Sequence, residues 1–219
     1  MTRSHRRVRA ILALLPVGRL LLHSVAHAGQ LLADPAAMLK TAERMDFKGH
    51  NDFAVEQGPD GRMLRSTPHG SASGLYQRVT INGTSLTHVR WRWRVDHLAA
   101  AADLRVLAKE DTGATVFFVF GEPSWLNRDV PTLAYTWSAT PVADGTIVRS
   151  RRFNSLAYVQ LHGAAAVGTW QDDTRDVAAD YRRIFKTEPG PLDFIAVFND
   201  NDQTGEATSA LFGPVTDAR

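Results

Sequence analysis

The run His88-Val89-Arg90-Trp91-Arg92-Trp93-Arg94-Val95-Asp96 constrains the fold more than any other stretch. Val89, Trp91, Trp93 and Val95 fall at every second position, with polar residues between them. Successive side chains of a strand point to opposite faces, whereas a helix would scatter these residues around its circumference. The run is therefore read as a half-buried strand, with Trp91 and Trp93 in a core and the arginines on the other face. Strand-like runs also cover 75–81, 115–120, 132–137, 156–161, 194–198 and 208–212. Turn residues separate most of them, among them Gly58-Pro59-Asp60-Gly61, Ile81-Asn82-Gly83 and Pro189-Gly190-Pro191. Many short strands punctuated by turns predict an all-β antiparallel β-sandwich. One or two short helices decorate it. Asp34-Pro35 caps a helix over 36–45, and Asp176 caps one that places Val177, Tyr181, Ile184 and Phe185 on one face.

Residues 1–28 are read apart from the fold. Arg3, Arg6, Arg7 and Arg9 precede an apolar stretch, and Ala26-His27-Ala28 has the small-x-small pattern of a signal-peptide cleavage site. The expectation is a signal peptide cut near Ala28 and a periplasmic or secreted single domain over 29–219. Arg19 interrupts the apolar stretch, which argues against a membrane anchor. The whole chain has 25 basic and 23 acidic residues. Five of the arginines lie within 1–28, so the remainder carries 20 basic against 23 acidic residues, a net of −3. A concentrated basic face for nucleic acid is not expected. With no cysteine in the chain, disulfides, thiol catalysis, Cys-based zinc sites and lipidation on cysteine are all excluded. The oligomeric state is not legible.

Several ordered segments carry a family resemblance: Ser71-Ala72-Ser73-Gly74-Leu75, Trp91-Arg92-Trp93-Arg94-Val95, Thr132-Leu133-Ala134-Tyr135-Thr136-Trp137 and Trp170 with Thr174-Arg175-Asp176-Val177. Asp180-Tyr181-Arg182, the stretch Asn199-Asp200-Asn201-Asp202-Gln203-Thr204-Gly205 and residues 207–212 continue it. Together they resemble the bacterial exported family labelled domain of unknown function 3047, over roughly 47–217. The resemblance implies a jelly-roll-like sandwich similar to carbohydrate-binding modules, and no established activity. Family members tend to carry paired acids followed by a basic residue on the next strand. Here Glu110-Asp111 are present, but Thr115 stands at the basic position.

The candidate sites follow from residue chemistry. Arg90, Arg92 and Arg94 recur about 6.8 Å apart along one strand face and need compensating anions. Glu110, Asp111 and Asp103 are the protein acids expected to neutralise them. The competing reading is a ligand-binding face for a carboxylated or sulfated glycan. Trp125, in the turn-rich stretch Gly121-Glu122-Pro123-Ser124-Trp125-Leu126-Asn127, is the aromatic best placed to contact such a ligand. Tyr135 joins this ligand-binding set. Asn199 to Glu206 bunches oxygen donors, and Asp200 and Asp202 are the candidate metal ligands, with calcium as the ion. The plainer reading of that stretch is an Asx-rich turn. No other cofactor is implied.

Nothing matches a familiar nucleophile or a histidine metal motif: Gly70-Ser71-Ala72-Ser73-Gly74 lacks the central serine of G-x-S-x-G. Asp172-Asp173 are read as exposed turn residues, and Thr174-Arg175-Asp176 as a capped, ion-paired lead into the second helix. Three functions compete. The first is a non-enzymatic envelope module that binds polysaccharide or another glycan. The second is a lyase or hydrolase acting on an acidic glycan, with Tyr135, Tyr158 or a histidine as base. The third is a structural or partner-binding envelope protein.

Overall fold

The central strand is the one the alternation marks. In the computed structural model, which describes residues 29–122 and 129–219, β6 runs Val89–His97. Val89, Trp91, Trp93 and Val95 are buried on its inner face. Around it the chain runs β1 (Gln30–Ala33), α1 (Pro35–Thr41), β2 (Glu43–Lys48), β3 (Asp52–Gly58), β4 (Gly61–Thr67) and β5 (Ala72–Asn82). After β6 come β7 (Ala114–Phe120), β8 (Thr132–Trp137), β9 (Ile147–Arg149), β10 (Leu156–His162) and β11 (Gln171–Arg175). The chain closes with α2 (Val177–Phe185), β12 (Pro191–Asp200), β13 (Ser209–Phe212) and β14 (Val215–Asp217).

The strands form two sheets. The first has the order β1-β14-β6-β13-β4-β3, with β11 also paired to β6, and the second the order β2-β5-β12-β7-β8-β10-β9. This is the jelly-roll-like β-sandwich expected, mostly antiparallel with two short helices. One pair departs from the pattern. β8 and β10 run parallel, Leu156 opposite Thr132, because the chain crosses over between them and β9 then folds antiparallel onto β10.

The inner faces share one core in which Trp91 packs against Tyr135 at 5.0 Å and Trp93 against Trp137 at 6.0 Å, ring centre to ring centre. Such ring pairs contribute about 0.5–1.5 kcal/mol each beyond their buried area. The indole N–H of Trp137 donates to the Gly163 carbonyl and that of Trp93 to Asp173. Each satisfies a donor that burial would otherwise leave unpaired.

The second helix forms as expected, Asp176 accepting from the Ala179 N–H at 2.8 Å. The first is shorter than expected. It begins at Pro35 with Asp34 capping, but ends at Thr41, and the segment expected to continue the helix is β2. Pairing with β5 along the sheet edge sets Met45 against apolar side chains of the second sheet, a tertiary contact that outweighs the marginal stability of one more helical turn. Asp172 and Asp173, expected in a turn, lie on β11 instead.

Candidate functional site

The two sheets differ in their outer faces. On the first, the arginines of β6 point outward and meet acids from β11, from the turn between β3 and β4, and from β6 itself. Arg92 is paired with Asp60 and with Asp172, its Nε 2.9 Å from Asp172 Oδ1. Arg90 reaches the same Asp172 at 3.2 Å. Arg94 Nε donates to Asp96 Oδ1 at 2.6 Å, and its guanidinium lies 4.8 Å from the centre of the Trp170 ring. Arg65, from β4, bridges Asp96 and Glu56. The bond to Arg92 holds the Asp172 carboxyl below the usual carboxylate range. The neutralising acids are therefore Asp60, Asp172 and Asp96, not the expected Glu110, Asp111 and Asp103. Asp103 pairs with Arg105, and Glu110 and Asp111 belong to the other sheet's cleft region. Sequence distance hid Asp172, which lies 80 residues from Arg92, whereas Asp96 stands two residues from Arg94 on the same strand face.

The second sheet is apolar on both faces. On β7, Val116 and Phe118 join the inner core while Phe117 and Val119 join a second cluster on the outer side. On β12, Ile195 and Val197 point in while Ala196 and Phe198 point out. Leu156 and Tyr158 of β10 complete this outer cluster. It floors a cleft of about 890 Å³. Phe47 of β2 and Phe153 of the loop before β10 wall it, with ring centres 6.1 Å apart. Phe47 is 57% exposed, and Phe198 meets it edge-on at 5.8 Å.

Polar groups gather at the cleft's border: Glu110, Asp200, Asp202 and Gln203, with Lys48 and Arg152 as cations. Glu110 Oε1 accepts from Ser150, and Arg152 Nε stands 3.7 Å from its Oε2. A basic group thus reaches the paired acids from Arg152 rather than from position 115. Thr115 itself is buried, its hydroxyl 3.0 Å from that of Thr136. Asp200 is fixed by Thr112, whose N–H and hydroxyl donate to Oδ1 at 2.7 and 2.8 Å. Burial, with Asp111 adding repulsion, pushes its carboxyl well above the usual range.

The residues expected to act together are dispersed. The arginine ladder lies on one sheet and the acids Asp200 and Asp202 at the cleft of the other. Tyr135, placed in the ligand-binding set from sequence, is in the sandwich core with its hydroxyl donating to Asp180 at 2.8 Å, out of reach of solvent. Burial first, and then Asp180, pushes its phenol well above the ordinary value. Tyr158 does line the cleft, but burial and the charges of Glu110 and Asp200 push its phenol well up too. Neither phenol is placed as a base at neutral pH. Trp125 falls outside the described residues, although Asp129 and Val130, which follow that segment, line the cleft. Sequence reasoning missed Phe47, Phe117, Phe153 and Phe198. For Phe117 the available signal was the run Val-Phe-Phe-Val-Phe of β7, apolar at successive positions and so marking a strand with apolar surroundings on both faces.

Residues 41–216 match the family described as protein of unknown function, DUF3047. The chain belongs to this family. Among curated proteins none matches. Solved structures with a related layout include the family 11 carbohydrate-binding module of the cellulosomal cellulase Lic26A-Cel5E of Clostridium thermocellum. It is 10% identical with a TM-score of 0.43, over 85% of this chain and 92% of that one. A thermostable cellulase derived from Cel12A of Rhodothermus marinus is 8% identical with a TM-score of 0.42, over 80% of this chain and 98% of that one. The glycoside hydrolase domain structure of Endo-D from Streptococcus pneumoniae R6 is 9% identical with a TM-score of 0.39. It is matched over 80% of this chain, which spans 21% of that one. At such TM-scores the function has to be read from the cleft itself.

Proposed function

We propose that this member of the family is an exported glycan-binding module that holds a neutral polysaccharide in the cleft of the second sheet. One observation carries the reading: a sandwich sheet whose outer face is apolar and aromatic yet opens into a cleft bordered by hydrogen-bonding groups. Sugars have just this dual chemistry, with C–H faces that lie against rings and hydroxyls that exchange hydrogen bonds with polar side chains. Ligand sites in general pair an apolar lining with a few placed polar groups. Phe47 and Phe153 supply the rings, and Lys48 and Arg152, each about half exposed at the border, supply donors to sugar hydroxyls. The acids at the border favour a neutral over a carboxylated or sulfated chain, the reverse of what the arginine ladder suggested. That ladder is already matched by Asp60, Asp172 and Asp96.

The test is a thermal-melt screen of the protein against neutral and acidic glycans. A ligand that binds only the folded state adds about 2.7 kcal/mol at 100 times its dissociation constant. A raised midpoint with a neutral glycan, lost in Phe47→Ala and kept in Arg92→Ala, is the expected result. A response to acidic glycans alone that disappears in Arg92→Ala would return the site to the first sheet.

A further inference from the structure

We propose that Asp111, Asp200 and Asp202 form a site for a hard divalent cation of the calcium type at the acidic border of the cleft. Each offers a carboxylate oxygen, and these oxygens lie within 4.8 Å of one another. Asp111 is fully buried, Asp200 is 6% exposed, and the Asp202 side chain is 11% exposed. Three carboxylates this close and this shielded from water repel strongly unless something positive stands among them. Among the described residues the basic side chain in salt-bridge range of the trio is Lys48, 3.6 Å from Asp202 Oδ2. Asp111 and Asp200 have no such partner there.

A second observation is independent of the cluster's charge. Asp202 Oδ1 and Gln203 Oε1 are shielded oxygens that accept no hydrogen bond. Gln203 lines the same cleft border as Asp200 and Asp202. Buried acceptors ordinarily find donors. Here the nearby donors are spent on holding the carboxylates in place. The N–H groups of Gln203 and Thr204 bond to Asp111, and Thr112 bonds to Asp200. What remains is a surplus of oxygens with fixed positions, the kind of donor set from which calcium takes six to eight oxygens. The ligands come from the loop before β7 and the end of β12 with the loop after it, so a bound ion would tie these two segments together. Gly205, with φ of +71°, turns that second loop back so that its N–H meets the Asn201 carbonyl at 2.8 Å.

Isothermal titration of chelator-treated protein with calcium chloride, in the absence of any glycan, tests this separately from the proposed ligand of the cleft. The expected result is one ion per chain, with a dissociation constant in the range of extracellular calcium modules, about 10⁻⁴ to 10⁻³ M. Saturating ion should raise the melting midpoint by several degrees. Asp202→Asn should abolish both responses. Asp200→Asn, which keeps an oxygen for the Thr112 donors, should weaken both and serves as the second variant should the first fold poorly. Asp60→Asn, on the opposite sheet, should change neither. Absence of heat and of any midpoint change with calcium, magnesium or manganese at about 10 mM would overturn the site and leave a shared proton as the source of balance. An undiminished response in both variants would overturn it equally, by placing the ion elsewhere.

Discussion

Tyr135 and Arg92 show how differently a polar side chain on a strand is held. The Tyr135 hydroxyl donates to Asp180, which also accepts from Arg175 Nε at 2.9 Å, all beneath the second helix. Tyr135→Phe removes one neutral donor while Arg175 still serves Asp180, and should cost about 1 kcal/mol in urea unfolding. The folded-state phenol titrates well above its ordinary value of 10.0. Its contribution is therefore fully present below pH 10 and is lost as pH rises above that value, where the unfolded chain releases the proton first. Wild type should lose midpoint above pH 10 more steeply than Tyr135→Phe, and equal slopes would show that another group controls alkaline unfolding. Arg92 is partly open to water, and Arg92→Ala should cost no more than about 1 kcal/mol.

Strand β11 makes the same contrast within one element. Asp172 points out to Arg90 and Arg92, whereas Asp173 points in, accepting from the Trp93 indole at 2.7 Å with His162 Nε2 at 2.8 Å. Asp172→Ala should cost about 0–1 kcal/mol, the range of exposed ion pairs. Asp173→Ala strips a buried donor of its partner and should cost about 1–3 kcal/mol. Chemical denaturation of the two variants side by side measures the difference, and equal costs would mean that β11 is not seated on β6 as described. On β2 the expected effect falls on binding rather than stability. Phe47 is largely exposed, so Phe47→Ala should leave the midpoint within about 2 °C while removing the glycan response.

Over the whole molecule, the first sheet's outer face is a web of ion pairs and the second's an apolar cleft. Asp96 belongs to that web. Burial works to raise its carboxyl, but hydrogen bonds from Arg94 and Arg65 outweigh this and lower it. Glu56 is lowered by Arg65, and Asp217 by Arg219. Groups with depressed folded values stabilise the protein fully above their unfolded values, 3.8 for Asp and 4.5 for Glu. That contribution fades as pH falls through the lower folded values. The melting midpoint should therefore decline below about pH 4, and less steeply in high salt, which screens these partly exposed pairs. A midpoint flat down to pH 2 would contradict this.

The sequence by itself determined the period of the strands, and with it which residues of β6 enter the core. Alternation is a property of neighbouring residues, so nine consecutive residues suffice to read it. The same locality made Asp176 legible as a helix cap, and short ordered segments sufficed to carry the family resemblance. Only the tertiary structure decided which acids meet Arg92, that Tyr135 faces inward, and that Phe47, Phe117, Phe153 and Phe198 line one cleft. It also decided that 43–48 pairs at a sheet edge instead of extending the first helix. Each of these depends on strands far apart in the chain becoming neighbours in a sheet. The charge or ring that completes a contact is chosen by strand order and register, and no local pattern encodes them.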